Sequence, residues 1–437
     1  HSFLNEHFIP FHAVRGEESG DKLYEHFAIR ATPTVLVISP DETEIDRIVG
    51  FGGSNSFHPQ LVRISKGKDT YKSLKKAYAQ NPDDLVSAFK LAQKYESMYS
   101  PELTEKAGAI YESILSQPDE AEKYTLPYGP DSVDVPLYEY AKYTFALNDM
   151  DYRSKPVDVL AFIEEFPKSE LVDPAYRRIS RYFGYYASEE EGRAFFDTVL
   201  EKYPEDTYHL NNYVQFCVNN KTDLKKGLKA AEKMVELEHG SNRYHLQAYA
   251  EILDLSGKTD KLHNTYGDRY IDGKISGLGY DVSTYARFWL KREENLESVK
   301  DALETVLSME ADMTFLTSLL AEAHLKLGSR DKALAVYGPD FVEKNRDEFR
   351  NLYSYALFWT RQDDNLESAL SAAQRATVLS EEPYTWVGLS NVHKAMGDYD
   401  KALTAMEKAV ELEPEQIYYQ NMLMKLKDEI ETEKGKE

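Results

Sequence analysis

One block of this sequence occurs twice, seventy residues apart. Tyr285-Ala286-Arg287-Phe288-Trp289, followed by Asn295-Leu296-Glu297-Ser298, returns as Tyr355-Ala356-Leu357-Phe358-Trp359, followed by Asn365-Leu366-Glu367-Ser368. A weaker copy carries Tyr213, Phe216, Cys217 and Leu224, seventy-two residues ahead of the first. Two further patterns lie between the copies: Ala250, Leu253, Gly257, Leu262 and Tyr266 in one, Ala321, His324, Gly328, Ala333 and Tyr337 in the other. The shift is therefore two units of about 35 residues, the length of one helical hairpin. A hairpin of that size cannot bury its apolar face alone, so the period restricts the chain to a stack of like units.

The clearest unit runs from Pro383 to Pro414. Trp386, Leu389, Ser390, His393, Gly397, Tyr399, Ala402, Met406, Ala409 and Pro414 fall at the offsets of a tetratricopeptide repeat, with Ser390 and His393 in its small and tyrosine slots. Upstream the units weaken. Leu91, Ala92, Tyr95, Ala107 and Tyr111 make one, and residues 136–167 and 173–204 make two more, for eight or nine hairpins between 83 and 417. Residues 124–135, with two prolines and a glycine, read as an inserted loop. After residue 415 a last amphipathic helix runs into a charged tail, as a stack needs to cover its final apolar face. Residues 83–417 thus resemble a tetratricopeptide solenoid. That resemblance implies a right-handed superhelix with a concave groove for peptides or protein surfaces.

Residues 1–66 have a different texture. Phe8–Val14 reads as a strand, Gly16–Gly20 as a turn, and Asp21 as the cap of a short helix over 22–27. Thr32-Pro33-Thr34 leads into a β-branched strand over 35–39, a turn at 40–43 and a return strand over 44–49, with a helix from about 57 to 64. Leu4-Asn5-Glu6-His7-Phe8, the helix, Thr32-Pro33-Thr34 and the hairpin resemble the C-terminal two-thirds of a thioredoxin-fold domain. The resemblance implies a cis Pro33 and makes Thr32, Pro33 and Thr34 a substrate-facing loop. That family's first strand and CxxC helix have no counterpart here. The missing strand would be central, and its absence would leave two unpaired edges. Residues upstream of His1 are therefore expected to complete the domain, unless another chain or a rearranged segment supplies the strand.

The expected fold is mainly α: a truncated α/β thioredoxin-like segment (1–66), a linker helix (67–82), an α-solenoid of tetratricopeptide-like hairpins (83–417), and a capping helix with a charged tail (418–437). The chemistry is sparse. Cys217 is the single cysteine, too few for a disulfide, a CxxC pair or a thiolate cage, and it aligns with Trp289 and Trp359, so it reads as a packing residue. The histidines show no HExxH spacing, and His324 and His393 fill repeat slots. Gly50-Phe51-Gly52-Gly53 lacks the lysine and serine or threonine of a phosphate loop. No catalytic, cofactor-binding or metal-binding residue is assigned, and no cofactor is expected.

With 75 acidic against 52 basic residues the chain carries −23, which argues against nucleic acid and against an anionic membrane. No apolar run approaches a membrane span. The expected function is a protein- or peptide-binding scaffold for a neutral or basic partner, redox-inactive in this chain. Asn391 matches a peptide-contact position of chaperone-binding repeats, although the other clamp residues do not line up. The alternative is a thiol–disulfide oxidoreductase, should CxxC lie upstream of His1. A thioredoxin-like domain fused to repeats resembles bacterial proteins, some of them exported, so a periplasmic or otherwise exported location is expected over the cytoplasm.

Overall fold

A computed structural model describes residues 2–14, 18–148, 150, 153–272, 279–309 and 314–434. The chain begins with helices α1 (Ser2–His7) and α2 (Glu18–His26), an antiparallel hairpin of β1 (Thr34–Ile38) and β2 (Glu44–Val49), and α3 (Ser54–Ser65). Then follow α4 (Tyr71–Gln80), α5 (Leu85–Glu96), α6 (Pro101–Leu115) and α7 (Pro118–Ala121). A second hairpin, β3 (Thr125–Tyr128) and β4 (Val133–Pro136), interrupts the helices. From there α8 (Leu137–Asn148), α9 (Val157–Glu165), α10 (Val172–Tyr185), α11 (Glu189–Lys202), α12 (Thr207–Asn220) and α13 (Leu224–Leu237) continue the array. They are succeeded by α14 (Arg243–Leu255), α15 (Thr259–Tyr266), α16 (Asp268–Asp272), α17 (Gly279–Arg292), α18 (Leu296–Met309), α19 (Thr314–Lys326), α20 (Arg330–Tyr337) and α21 (Phe341–Lys344). The last helices are α22 (Phe349–Arg361), α23 (Leu366–Leu379), α24 (Pro383–Ala395), α25 (Tyr399–Leu412) and α26 (Ile417–Lys434). The fold is mainly α, built as tandem helical hairpins, and divides into two compact units, 1–230 and 231–437.

The seventy-residue echo has a backbone cause. In its three copies the turn between the helices uses two left-handed residues, Lys221 and Asp223, Glu293 and Asn295, Asp363 and Asn365. The intervening hairpins turn on one residue with positive φ, Gly257 and Gly328. There glycine carries the left-handed backbone without a Cβ penalty. The slot shared by Cys217, Trp289 and Trp359 is fully buried in each copy. Trp289 donates from Nε1 to the Tyr266 carbonyl at 2.9 Å.

In the first unit, helix ends are fixed by side chains. Thr70 and Ser73 form a capping box, as do Ser188 and Glu191, and Asp84 and Asp206 cap α5 and α12. Gly184 lies so close to α12 that a Cβ there would sit 2.8 Å from the Asn212 carbonyl oxygen, so only glycine permits this crossing of α10 and α12.

Four expectations need correction. Residues 8–14 form no strand, and Ile9 and Phe11 are 97% and 78% exposed. The sheet has the order β1–β2 and nothing pairs with this segment, so its backbone has no ladder to join. Helix α2 starts at Glu18, which leaves Asp21 inside it; its polar first turn carries no apolar period to announce it. Residues 15–17 of the expected turn lie outside the described residues. The loop expected at 124–135 is a hairpin, with Leu126 opposite Val135 and both buried, and with Gly129 and Ser132 at positive φ in the turn. The helical array is therefore interrupted by the β3–β4 hairpin.

The proposed linker helix α4 packs on both β2 and α5. A buried ion cluster reinforces that joint. Asp46, with no exposed surface, binds Arg63 at 2.6 Å and pairs with Lys94 of α5. Lys94 also donates to the Arg47 carbonyl at 2.9 Å. Burial lowers the Lys94 pKa, and Asp46 opposes that shift.

Candidate functional site

The second unit has two kinds of helix. The second helices of its hairpins pack between neighbours. The first helices α14, α17, α19, α22 and α24 pack side by side in that order. On a helix, residues at i, i+4, i+7 and i+11 share one stripe. Taking the second residue of each first helix as i defines a stripe that on α17, α19, α22 and α24 is exposed or half-buried except at Leu319 and Gly388. It reads Tyr280, Thr284, Arg287 and Lys291 on α17; Phe315, Leu319, Glu322 and Lys326 on α19; and Arg350, Ser354, Leu357 and Arg361 on α22. On α24 it is Tyr384, Gly388, Asn391 and Ala395.

The head of the stripe is aromatic on α14, α17, α19 and α24 and is Arg350 on α22. Tyr244, Tyr280 and Tyr418 are 59%, 54% and 61% exposed, and Phe315 is exposed too. Tyr280 stacks on Phe315 with ring centroids 5.3 Å apart. The Arg243 guanidinium lies over Tyr244 at 4.6 Å and over Tyr280 at 5.7 Å, and donates to the Tyr244 hydroxyl at 3.1 Å. Tyr353 meets Tyr384 edge-on at 5.3 Å. Gly388 lets that happen, because a Cβ there would fall 2.6 Å from Cε2 of Tyr353. Burial holds the Tyr353 phenol above its ordinary pKa, so it remains a neutral donor and acceptor. The first unit has tyrosine at the head position on α8, Tyr138, with Lys142 over its ring at 5.9 Å, and on α12, Tyr208, with Arg177 over its ring at 4.8 Å.

Asn391, singled out from sequence, lies half-buried on this stripe, about two helical turns from Tyr384. Thr32, Pro33 and Thr34 are elsewhere. The Thr32–Pro33 bond is cis, Thr32 and Pro33 are exposed, and the Pro33 carbonyl accepts from the Gly50 amide at 2.8 Å. Beside them, Ile48–Gly52, Ser56, Phe57 and Gln60 line a recess of about 430 Å³. Cys217 is buried, and desolvation pushes its thiol pKa up to about 12. Tyr213, Tyr285 and Tyr355 are core residues. Among the described residues no group of three or more His, Cys, Asp or Glu side chains could hold a metal ion, and no helix is long and apolar enough to cross a membrane.

The aromatic heads were not separated from the core tyrosines by sequence alone. A signal existed in the caps. Asp206 accepts from the Tyr208 amide at 2.9 Å and Asn242 from the Tyr244 amide at 3.0 Å. A capping Asp or Asn fixes where the helix begins, so an aromatic two places later must head the first turn.

Residues 383–416 match the family model of the tetratricopeptide repeat. A search of curated protein sequences finds no match to the chain. Solved structures similar to it include yeast Tom70, at 12% identity over 86% of this chain and 87% of that one, with a TM-score of 0.37. A tetratricopeptide repeat protein from Parabacteroides merdae matches at 14% identity over 61% of this chain and 98% of its own, TM-score 0.35. YrrB, a tetratricopeptide protein with an unusual peptide-binding site, matches at 15% identity over 52% of this chain and 96% of its own, TM-score 0.24.

Proposed function

We propose that this chain is a protein- or peptide-binding scaffold, with the outward stripe of its first helices as the contact surface. One observation carries the reading. Tyr244, Tyr280, Phe315 and Tyr384 stand at the second position of the first helices α14, α17, α19 and α24, with Arg350 at that position on α22, and Tyr418 repeats it on the cover helix α26; all of these rings but the half-buried Tyr384 are exposed. Exposed rings held in a row are contact residues by their physics: each offers a large amphipathic face and loses little rotamer freedom on binding. The test is recovery of proteins from a cell extract by the immobilised chain, against a variant with Tyr244, Tyr280, Tyr384 and Tyr418 all changed to Ser. The variant should keep its circular dichroism and lose the recovered proteins. Equal recovery by both would overturn the surface assignment.

The N-terminal segment is read as thioredoxin-like and redox-inactive in this chain. Its support is the order α2, β1, β2, α3, with Ile48, Leu61 and Ile64 forming a small core against Val35, Val37 and Phe57. A disulfide oxidoreductase is the second reading, and needs a CxxC upstream of His1. An insulin-reduction assay on a protein carrying that pair, against its Cys→Ser variant, decides it; equal rates would end this reading.

A further inference from the structure

The stripe carries four cations without an acidic partner among the described residues. Arg287, Lys291, Arg350 and Arg361 are exposed, and none has a carboxylate oxygen within 4.0 Å among the described residues. With 75 carboxylates on the chain, partners are plentiful. Other cations of the unit take them: Lys300 pairs with Glu297, Arg330 with Asp364, Lys408 with Glu411, and Arg292 of α17 with Asp254. On the stripe itself Lys326 is paired, with Glu293 at 2.9 Å, and its neighbours on α17 and α22 are not. The two flanking helices are the seventy-residue echo, and they place Lys291 and Arg361 at equivalent positions. The stripe is thus locally positive on a molecule that is negative overall, and a local field governs what docks on it.

We propose, building on the scaffold reading above, that the stripe of α17, α19 and α22 binds an extended peptide segment in which carboxylates alternate with aromatic or apolar residues. The whole-chain charge favours a neutral or basic partner; the surface that would touch the partner favours an acidic one. The alternation follows from geometry. Tyr280 and Phe315, with Arg350 beyond them on α22, form one row, and Arg287, Lys291 and Arg361 a second row seven to eleven residues further along the helices, roughly 10–16 Å away. An extended chain crossing the helices between the rows sends successive side chains to opposite sides, apolar groups to the rings and carboxylates to the cations. From α17 to α22 is two interhelical steps of about 10 Å each, so about six residues of extended chain span them.

The probes are three fluorescein-labelled dodecapeptides alternating Tyr with Glu, Gln or Lys, read by anisotropy on the full chain, with a labelled twelve-residue thymidine oligonucleotide beside them. The Glu peptide should bind at least about fivefold more tightly than the Gln peptide, with the Lys peptide weakest, and added salt should narrow the difference. Changing Arg287, Lys291, Arg350 and Arg361 together to Gln should remove the preference for Glu and leave the Gln peptide's affinity unchanged. All four side chains are exposed, and circular dichroism verifies the fold. Gln or Lys peptides bound as well as the Glu peptide would overturn the acidic assignment and leave the surface standing. A Glu preference that survives the four substitutions would overturn it as well, as would the oligonucleotide binding as tightly as the Glu peptide. If none of the three peptides bound, or if all bound the Tyr→Ser variant undiminished, the scaffold surface itself would fall.

Discussion

Cys217 sits where its sister repeats place tryptophan, and all three side chains are wholly buried. Such a thiol behaves as a small hydrophobe, and a folded-state pKa of about 12 leaves almost no thiolate near neutral pH. At pH 8 an aromatic disulfide reagent should therefore label no thiol in the native protein and one per chain in guanidinium; rapid native labelling would contradict the packing. His209 is a second buried group with a readable consequence. It stacks on Tyr203 with centroids 5.2 Å apart, and its Nδ1 lies 3.1 Å from the Ser180 hydroxyl. Burial lowers its pKa, against the pull of Asp206 and Asp173 and with the help of Arg177. A depressed value means that the unfolded chain binds the proton more readily, so stability is fully present above about pH 6.5 and is lost as pH falls through the folded value. Urea unfolding should show a smaller loss between pH 7 and pH 5 for His209→Gln than for the parent chain, and identical losses would remove His209 from the account.

At the scale of elements, what could be read beforehand depended on periodicity. The hairpins of the echo carry Tyr, Trp and Ala at fixed offsets, so their helices could be placed from sequence. The β3–β4 hairpin could not, because four-residue strands containing Pro127 and Pro136 present no alternating run long enough to recognise. Residues 8–14 show the opposite failure: FIPFHAV has a strand's composition and no strand beside it. The aromatic heads were hidden because a tyrosine one turn away is core, and only the helix phase separates Tyr280 from Tyr285. The Asp46 cluster was invisible for a further reason. Its members come from β2, α3 and α5, and nothing in spacing says that Asp46 meets Lys94. Removing Asp46 leaves Arg63 and Lys94 facing each other without their shared anion. Asp46→Ala should cost about 3–5 kcal/mol in denaturant unfolding. It should also make residues 34–49 sensitive to protease before residues 85–115; a loss under about 1 kcal/mol would show that the joint does not depend on the cluster.

Within each unit, packing passes from each hairpin to its neighbours, so stability is a sum of local terms and the final hairpin needs a cover. Helix α26 provides it. Leu426 and Ile430, 5% and 4% exposed, close over Val387, Ala402, Met406 and Ala409, while Ile417, Tyr418 and Met424 stay exposed. Charging the cover should therefore act nearby and fade with distance. In a Leu426→Asp, Ile430→Asp chain, hydrogen exchange should accelerate strongly in α24, α25 and α26 and remain unchanged in α5 and α6. The uncovered face of Val387 and Met406 should also promote self-association, visible in light scattering as mass rising with concentration. Acceleration spread evenly over the chain would mean that the hairpins unfold as one cooperative body. The stripe of α17, α19 and α22 would then share the fate of the cap, and peptide binding there would depend on residues 65 or more positions away.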